Sequence, residues 1–516
     1  MRPYNAALLF KQTRMIPVSL RNFSLWFLLC LLCTSGLPIN ISAEDWPQFR
    51  GANSSGIASE TSAPIHFGPD TNVLWKLPLD PGHSSPCIVG DSIFLTTYQK
   101  PPHSLSVLCI DRNLGTVSWQ RRVNAKSIER GHPSFNPASS TPTSDGQRVV
   151  AYFGSYGLIC FDMLGTKLWD LQMPLTKSYS GNATSPAIFG DLVILYRGNY
   201  VDHFLLAVNK TTGKEVWRVK QDEHITGEMA CTACPIVVDG KLIVHTARAV
   251  QAFQLDTGKH LWTVKCATTA TSTPVLAQDE VIVAAWNKLG EDALRPPFPD
   301  FEQLVKQNDK NDDRQIGRDE FPTFWIFHRP EGAEAPQNGA TVRFQQVDSN
   351  RDGQIVASEW KKQIAGIERY RAQASQHGML AIKLNQSNPN DPTNVRVLDT
   401  ASIPEVPSPL SNNGYLYFVK NGGILTCLEI STGKRIYRMR TSGRGTHYAS
   451  PLIAGGKLYT ISGAGLISVL TLGPNPKILA TNDMRDEVYA SPAVVDGTIY
   501  VRTHATLYAF KHPTKR

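Results

Sequence analysis

Two twelve-residue stretches near the middle of the chain place oxygen-bearing side chains at a spacing that suits a hard divalent cation. In Asp348-Ser-Asn350-Arg-Asp352-Gly353-Gln354-Ile355-Val-Ala-Ser-Glu359 they fall at positions 1, 3, 5 and 12, with glycine at 6 for a sharp turn. Calcium takes six to eight oxygens, and this spacing wraps a loop around one ion. Asp348, Asn350 and Asp352 would offer side-chain oxygens, Gln354 its backbone carbonyl, and Glu359 two oxygens at once. The earlier stretch, Asp309-Lys-Asn311-Asp-Asp313-Arg314-Gln315-Ile316-Gly-Arg-Asp-Glu320, repeats the set with Asp309, Asn311, Asp313, Gln315 and Glu320. Arg314 stands where the glycine would be. A non-glycine residue at positive φ costs on the order of 1 kcal/mol, so this loop is expected to bind several-fold more weakly.

Both loops read as EF-hands, and helices must flank them. Phe301, Leu304 and Val305 precede the first loop at helical spacing, and Phe321, Phe324 and Trp325 follow it. Trp360, Ile364 and Ile367 follow the second. The expectation is an inserted α-helical EF-hand subdomain over residues 291–375, with Ile316 and Ile355 paired across the loops. It has no Met-rich apolar face, which favours a structural calcium clip over a sensor that opens a groove.

Outside that stretch the chain repeats itself. A small residue, then Pro, then an apolar alternation and a turn recur at Ser85-Pro86, Thr141-Pro142, Ser185-Pro186, Cys234-Pro235, Thr273-Pro274, Ser408-Pro409, Ser450-Pro451 and Ser491-Pro492. The prolines lie about 40 to 55 residues apart once an insertion of about 85 residues is taken out of the longest gap. Each unit ends in a Gly turn and an aromatic, as in Gly115…Trp119, Gly165…Trp169, Gly213…Trp217, Gly258…Trp262 and Gly433…Tyr437. Four strands in roughly 45 residues make a propeller blade. The fold class is therefore all-β, an eight-bladed β-propeller of four-stranded blades carrying the helical insertion. Val73-Leu-Trp75 looks like a last strand without its blade, and the final repeat lacks its last strand, so the two ends are expected to close one blade.

These Gly–Trp units resemble the pyrrolo-quinoline-quinone-type (PQQ-like) propeller repeat, and Asp45-Trp-Pro-Gln-Phe-Arg-Gly51 is similar to a segment that precedes such arrays in secreted bacterial proteins. The resemblance implies either a quinone-dependent alcohol or sugar dehydrogenase or a non-catalytic propeller. The adjacent Cys-Cys pair of many alcohol-oxidising members is missing. The loops before each Pro phrase should line one mouth of the propeller; they supply His83, Asn182, Glu228, His447, Tyr448 and Tyr489, a polar and aromatic rim with one carboxylate.

The start of the chain reads as an export signal over residues 1–43: Arg2, Lys11, Arg14 and Arg21, an apolar run over 23–33, and Ala43 before Glu44. That run is shorter than the ~20 residues of a transmembrane helix. Cys30 and Cys33 each follow leucine, which disfavours a lipid anchor. Setting the four basic residues aside leaves a formal charge of about +4, too weak and dispersed for nucleic acid. Cys109, Cys160 and Cys427 occupy matching strand positions, as buried thiols would. Cys231-Thr-Ala-Cys234 is either a structural disulfide or two isolated thiols.

The expected organisation is a signal over 1–43, propeller over 44–290 and 376–516, and the insertion over 291–375. The expected function is a non-enzymatic, calcium-binding scaffold, periplasmic or secreted, that takes a protein, peptide or glycan at its rim, with no membrane span after signal removal. A divergent PQQ-dependent oxidoreductase is the alternative, and a calcium-regulated adaptor a further one.

Overall fold

The computed structural model describes residues 45–58, 63–223, 232–266, 270–329, 339–372, 377–386, 388 and 391–512. The expected signal over 1–43, Glu228 and Cys231 lie outside them. Eight blades, each of four antiparallel strands, follow one another around an axis, and Ile57–Ala58 adds a short parallel fifth strand to the innermost strand of the seventh. The first runs Cys87–Val89, Ser92–Gln99, Ser104–Asp111 and Thr116–Val123. Blades 2, 3 and 4 span 143–172, 187–220 and 236–265, and blades 6 and 7 span 410–440 and 452–483. Blade 5 consists of Val275–Ala277, Glu280–Ala285, Gly378–Lys383 and Val395–Asp399, with 286–377 inserted between its second and third strands. Blade 8 is Ala493–Val495, Thr498–Arg502 and Thr506–Phe510 completed by Val73–Pro78, so the N-terminal part of the chain supplies the outer strand of the C-terminal blade.

The recurring small residue before each proline has a geometric reason. The backbone N–H of Ser85 donates to Thr141 Oγ1, Thr141 to Ser185 Oγ, Ser185 to Cys234 Sγ and Cys234 to Thr273 Oγ1. Thr273 continues to Ser408, Ser408 to Ser450, Ser450 to Ser491, and Ser491 back to Ser85. This closed belt ties every blade to the next, and the following proline holds the donor residue extended. Cys234 is the one thiol in the belt, and its bond is the longest at 3.4 Å.

The outer strands make a second set of ties. Trp75, Trp119, Trp169 and Trp217 lie over Gly115, Gly165, Gly213 and Gly258 of the next blade, where a Cβ would come within 2.7 Å of the ring. Each indole N–H donates to a carbonyl of that same turn: Arg112, Met163, Lys210 and Leu255. The glycines sit at φ of 66° to 80°, so both ring clearance and backbone conformation require them. Apolar side chains from facing blades fill each seam, as in the cluster of Val150, Tyr152, Trp169, Leu195 and Phe204 between blades 2 and 3.

Residues 45–58 cross the bore. Trp46 bridges to Ile88 of blade 1, Pro47 accepts from Ser144 of blade 2, Arg50 Nη2 donates to Pro409 of blade 6 at 2.6 Å, and Gly56 accepts from Ile453 of blade 7. Touching innermost strands on opposite sides requires the segment to lie across the axis.

The insertion holds helices α1 (Phe301–Asn308), α2 (Phe344–Val347) and α3 (Ala357–Ala372) around Leu304, Ile316, Phe344, Val347, Ile355 and Trp360. Asp300 caps α1, accepting from the backbone N–H of Gln303. The helix that Phe321, Phe324 and Trp325 predict after the first loop is not formed; Trp325–His328 is a strand paired with Gly339–Thr341. Pro322, one turn into that helix, has no N–H to donate and its ring clashes with the preceding turn.

Candidate functional site

In the insertion the two loops lie side by side through Ile316↔Ile355 and Gly317↔Gln354, a two-residue antiparallel pair. Their oxygens follow one pattern. Asp309 Oδ2 accepts from the N–H of Arg314, and Asp348 Oδ2 from that of Gly353. Asn311 and Asn350 accept from Asp313 and Asp352, which accept from Gln315 and Gln354. Glu320 takes the N–H groups of Lys310 and Gly317, and Glu359 those of Ser349, Asn350 and Val356. Arg314 adopts φ of 60° and Gly353 φ of 88°, so the arginine carries the backbone strain that the glycine avoids. Asp348 Oδ1 and Gln354 Oε1 are buried without a hydrogen-bond partner. Among the described residues no three His, Cys, Asp or Glu side chains gather closely enough to form a metal cage. The loops therefore carry the ligand spacing while their carboxylates hold backbone N–H groups.

The second candidate is the mouth, formed by the turns between second and third strands and the loops that lead to the next blade. The insertion projects from this face. Part of the rim expected from the sequence comes together as an aromatic chain: His83 stands edge-on to Tyr489 at 4.8 Å, and Tyr489 to Tyr448 at 5.0 Å. Asn182 is buried against Ser140 Oγ at 3.2 Å, and the backbone of His447 donates to Asn421 Oδ1. Burial holds the His83 imidazole down at about 3 and that of His447 at about 4.

The rim also contains charged groups that sequence reasoning missed, which corrects the expectation of a single carboxylate. Glu129, 4% exposed, accepts from Thr176 Oγ1, and burial pushes its carboxyl up to about 7 against that hydrogen bond. Arg197 is fully buried and donates to Tyr152 Oη, to the carbonyls of Pro174 and Asp202, and to the Asp202 carboxylate. Lys420 Nζ reaches Glu291 Oε1 at 2.8 Å, joining blade 6 to the start of the insertion. Arg502 donates to the backbone and hydroxyl oxygens of Ser84, and burial lowers its pKa to about 9. Arg197, Lys420 and Arg502 each end the second strand of their blade, but the other blades have no lysine or arginine at that position, so the repeat gave too sparse a signal to point to them.

The six described cysteines Cys87, Cys109, Cys160, Cys234, Cys266 and Cys427 are buried thiols. Cys109, Cys160 and Cys427 face Trp119, Trp169 and Tyr437 at the same register position. Burial raises the Cys160 and Cys427 thiols to about 12, which leaves them unreactive.

Residues 65–201 and 201–295 match the family described as outer membrane protein assembly factor BamB. A quinoprotein alcohol dehydrogenase, PedH of Pseudomonas putida, is 36% identical over 109 residues, which is 19% of this chain and 18% of that protein. BamB from Moraxella catarrhalis shares the fold at a TM-score of 0.51 and 11% identity, over 85% of this chain and 99% of that one. A europium-containing methanol dehydrogenase gives 0.54 and 10% over 91% and 98%. Quinohemoprotein alcohol dehydrogenase from Comamonas testosteroni gives 0.52 and 12% over 91% and 80%. At these identities the likeness speaks for the fold alone. The chain is a PQQ-repeat-related eight-bladed β-propeller with a small helical subdomain inserted in one blade. Among the described residues no helix is long and apolar enough to cross a membrane.

Proposed function

We propose that this chain is an exported propeller that holds calcium in EF-hand loops of its inserted lobe and binds a partner at its mouth. The observation that carries the calcium reading is Asp348 Oδ1, a buried carboxylate oxygen with no hydrogen-bond partner in a loop of full ligand spacing. An unpaired buried carboxylate oxygen is costly, and a cation held in the loop would satisfy it. Bound there, calcium would draw on Asp348, Asn350, Asp352, Gln354 and Glu359, and in the first loop on Asp309, Asn311, Asp313, Gln315 and Glu320. Its chemistry is structural: it neutralises carboxylates that otherwise repel one another. Missing its exit helix, the first hand is a clip more than a lever.

A second reading, a PQQ-dependent oxidoreductase, has support from the comparisons through the alcohol dehydrogenase segment. Glu129, with its pKa near neutral, is the group that could take a proton. Against this reading, Arg197 and Lys420, which could receive a quinone's carboxylates, are engaged within the protein, and the chain has no adjacent cysteine pair. The fit is poor, so no catalytic step is derived through the quinone.

Calorimetric titration of the purified protein with calcium and then with PQQ tests both readings. Calcium heat that disappears in Glu359→Ala with Glu320→Ala, together with no heat from PQQ, supports the binding propeller. Stoichiometric PQQ binding overturns it in favour of the oxidoreductase. No calcium heat in the wild type removes the EF-hand assignment.

A further inference from the structure

The mouth over blades 2 and 3 exposes aromatic rings more fully than the rest of the rim, where His83, Tyr448 and Tyr489 are half-buried. Tyr179 and Tyr200 are each 42% exposed and Val201 57%. The rings are held in place. Tyr200 Oη accepts the backbone N–H of Tyr179 at 2.8 Å, and the backbone N–H of Tyr200 donates to the Lys177 carbonyl at 2.8 Å. His132 packs on Tyr179 with centroids 5.5 Å apart. Gly181, at φ of 77°, lies so close to Phe135 that a Cβ would come within 2.2 Å of its ring, which fastens the loop behind Tyr179. A surface fixed this way loses little entropy on binding.

Unpaired cations stand on the loops that carry these rings. Lys126, Arg130 and Lys177 are exposed on the same loops, and none of the ion pairs among the described residues involves them. Of the acids of this arc, Glu129 is turned inward to Thr176, Asp202 is paired with the buried Arg197 while its side chain stays 41% exposed, and Asp222 is exposed. The ledge is made of interblade loops and strand turns, so it offers no free strand edge to an extended peptide. What remains is flat aromatic surface beside unmatched positive charge.

We propose that this ledge binds an acidic polysaccharide, its sugar rings lying on Tyr179 and Tyr200 and its carboxylates or sulfates meeting Lys126, Arg130 and Lys177. A sugar ring presents an apolar C–H face that suits an amphipathic aromatic, and its charges would be drawn to the cations in a salt-dependent way, since screening sets in at about 8 Å in physiological salt. The inference rests on the reading of the mouth as a binding surface and names the class of partner.

The test is calorimetry of the full chain with polygalacturonate, dextran, polyglutamate and a single-stranded oligonucleotide. Polygalacturonate should bind, and its affinity should fall as salt rises; dextran, polyglutamate and the oligonucleotide should each bind at least about tenfold more weakly. Y179A with Y200A should lower the polygalacturonate affinity about tenfold, whereas Y179F, which keeps the ring and leaves the Tyr200 hydroxyl in place, should retain most of it. K126Q with K177Q should weaken binding and flatten its salt dependence. An unchanged melting temperature shows that these exposed substitutions leave the fold intact. Absence of polygalacturonate binding, equal binding of polyglutamate or the oligonucleotide, or full affinity in Y179A with Y200A overturns the proposal. Calcium and PQQ heats report separately on the lobe and the mouth cofactor, so a failure here is distinct from a failure there.

Discussion

The propeller and its inserted lobe solve the problem of order in opposite ways. In the propeller each blade is tied to the next by a belt hydrogen bond near the axis, and most seams add an aromatic ring over a turn farther out. The lobe has one small core around Leu304, Phe344 and Trp360 and a two-residue strand pair, and its loops spend their carboxylates on their own backbone N–H groups. Repetition makes the propeller's order a property of every seam; the lobe's order depends on a few residues. A propeller can therefore carry an insertion of this size in a single turn of blade 5 without losing its closure.

Four experiments probe that contrast, from the largest expected effect to the smallest. Acid should act on the propeller. Burial holds His83 at about 3 and His203, His245, His377 and His447 at about 4. Unfolded, these imidazoles take protons near pH 6.5, so the unfolded chain binds more protons below that pH and stability falls as the pH drops toward 4. At about 1.4 kcal/mol per pKa unit, the group should remove more than about 5 kcal/mol across that window. Glu129, raised to about 7, acts the other way, its contribution being lost as pH rises from 4.5 through 7. Urea unfolding followed at a series of pH values reads the sum; a flat profile between pH 6.5 and 4 would contradict this account.

Trp169→Ala should cost about 3–5 kcal/mol by opening the seam between blades 2 and 3 and leaving the Lys210 carbonyl without its indole donor. Thermal unfolding should show the loss with calcium binding in the lobe unchanged, and equal damage to both would mean the regions are not independent. In the lobe, Arg314→Gly should relieve a residue at φ of 60° and tighten the first loop by about 1 kcal/mol. The lost ion pair with Glu302 is fully on the surface and should matter little. Calorimetry would show the two loops approaching each other in affinity; no change would mean that the arginine is not what weakens the first. Cys234→Ser restores a hydroxyl to the belt, where a shorter bond than the present 3.4 Å should add about 0.5 kcal/mol. A lower melting temperature would show that the thiol's volume matters more than its hydrogen bond.

How legible each feature was depends on whether it repeats. Ser85, Thr141 and their counterparts occur once per blade, so a periodic reading found them, although their belt role needs eight blades brought together. Tryptophans before the seams were visible for the same reason, together with the glycines they cover. The spacing of oxygen-bearing side chains in the two loops was legible because one short stretch holds all five positions in sequence. By contrast, Phe321, Phe324 and Trp325 had helical spacing but no helix, since Pro322 outweighs a weak periodic pattern. Glu129 and the exposed rings of Tyr179 and Tyr200 each appear once, in connections whose lengths differ, and nothing in their spacing marks them. Arg197 and Lys420 each end a second strand, as Arg502 does, but the other blades have no lysine or arginine there.

The sequence alone determined the blade count, the place of the insertion and the oxygen spacing of its loops, because strand alternation, Gly turns and loop ligands are local codes read within a dozen residues. Only the tertiary structure decided which unrelated loops meet at the mouth, which charges there are buried and paired, and which aromatic rings stay exposed. Those properties arise when eight blades close around one axis, and they depend on distances across the ring that no local pattern encodes.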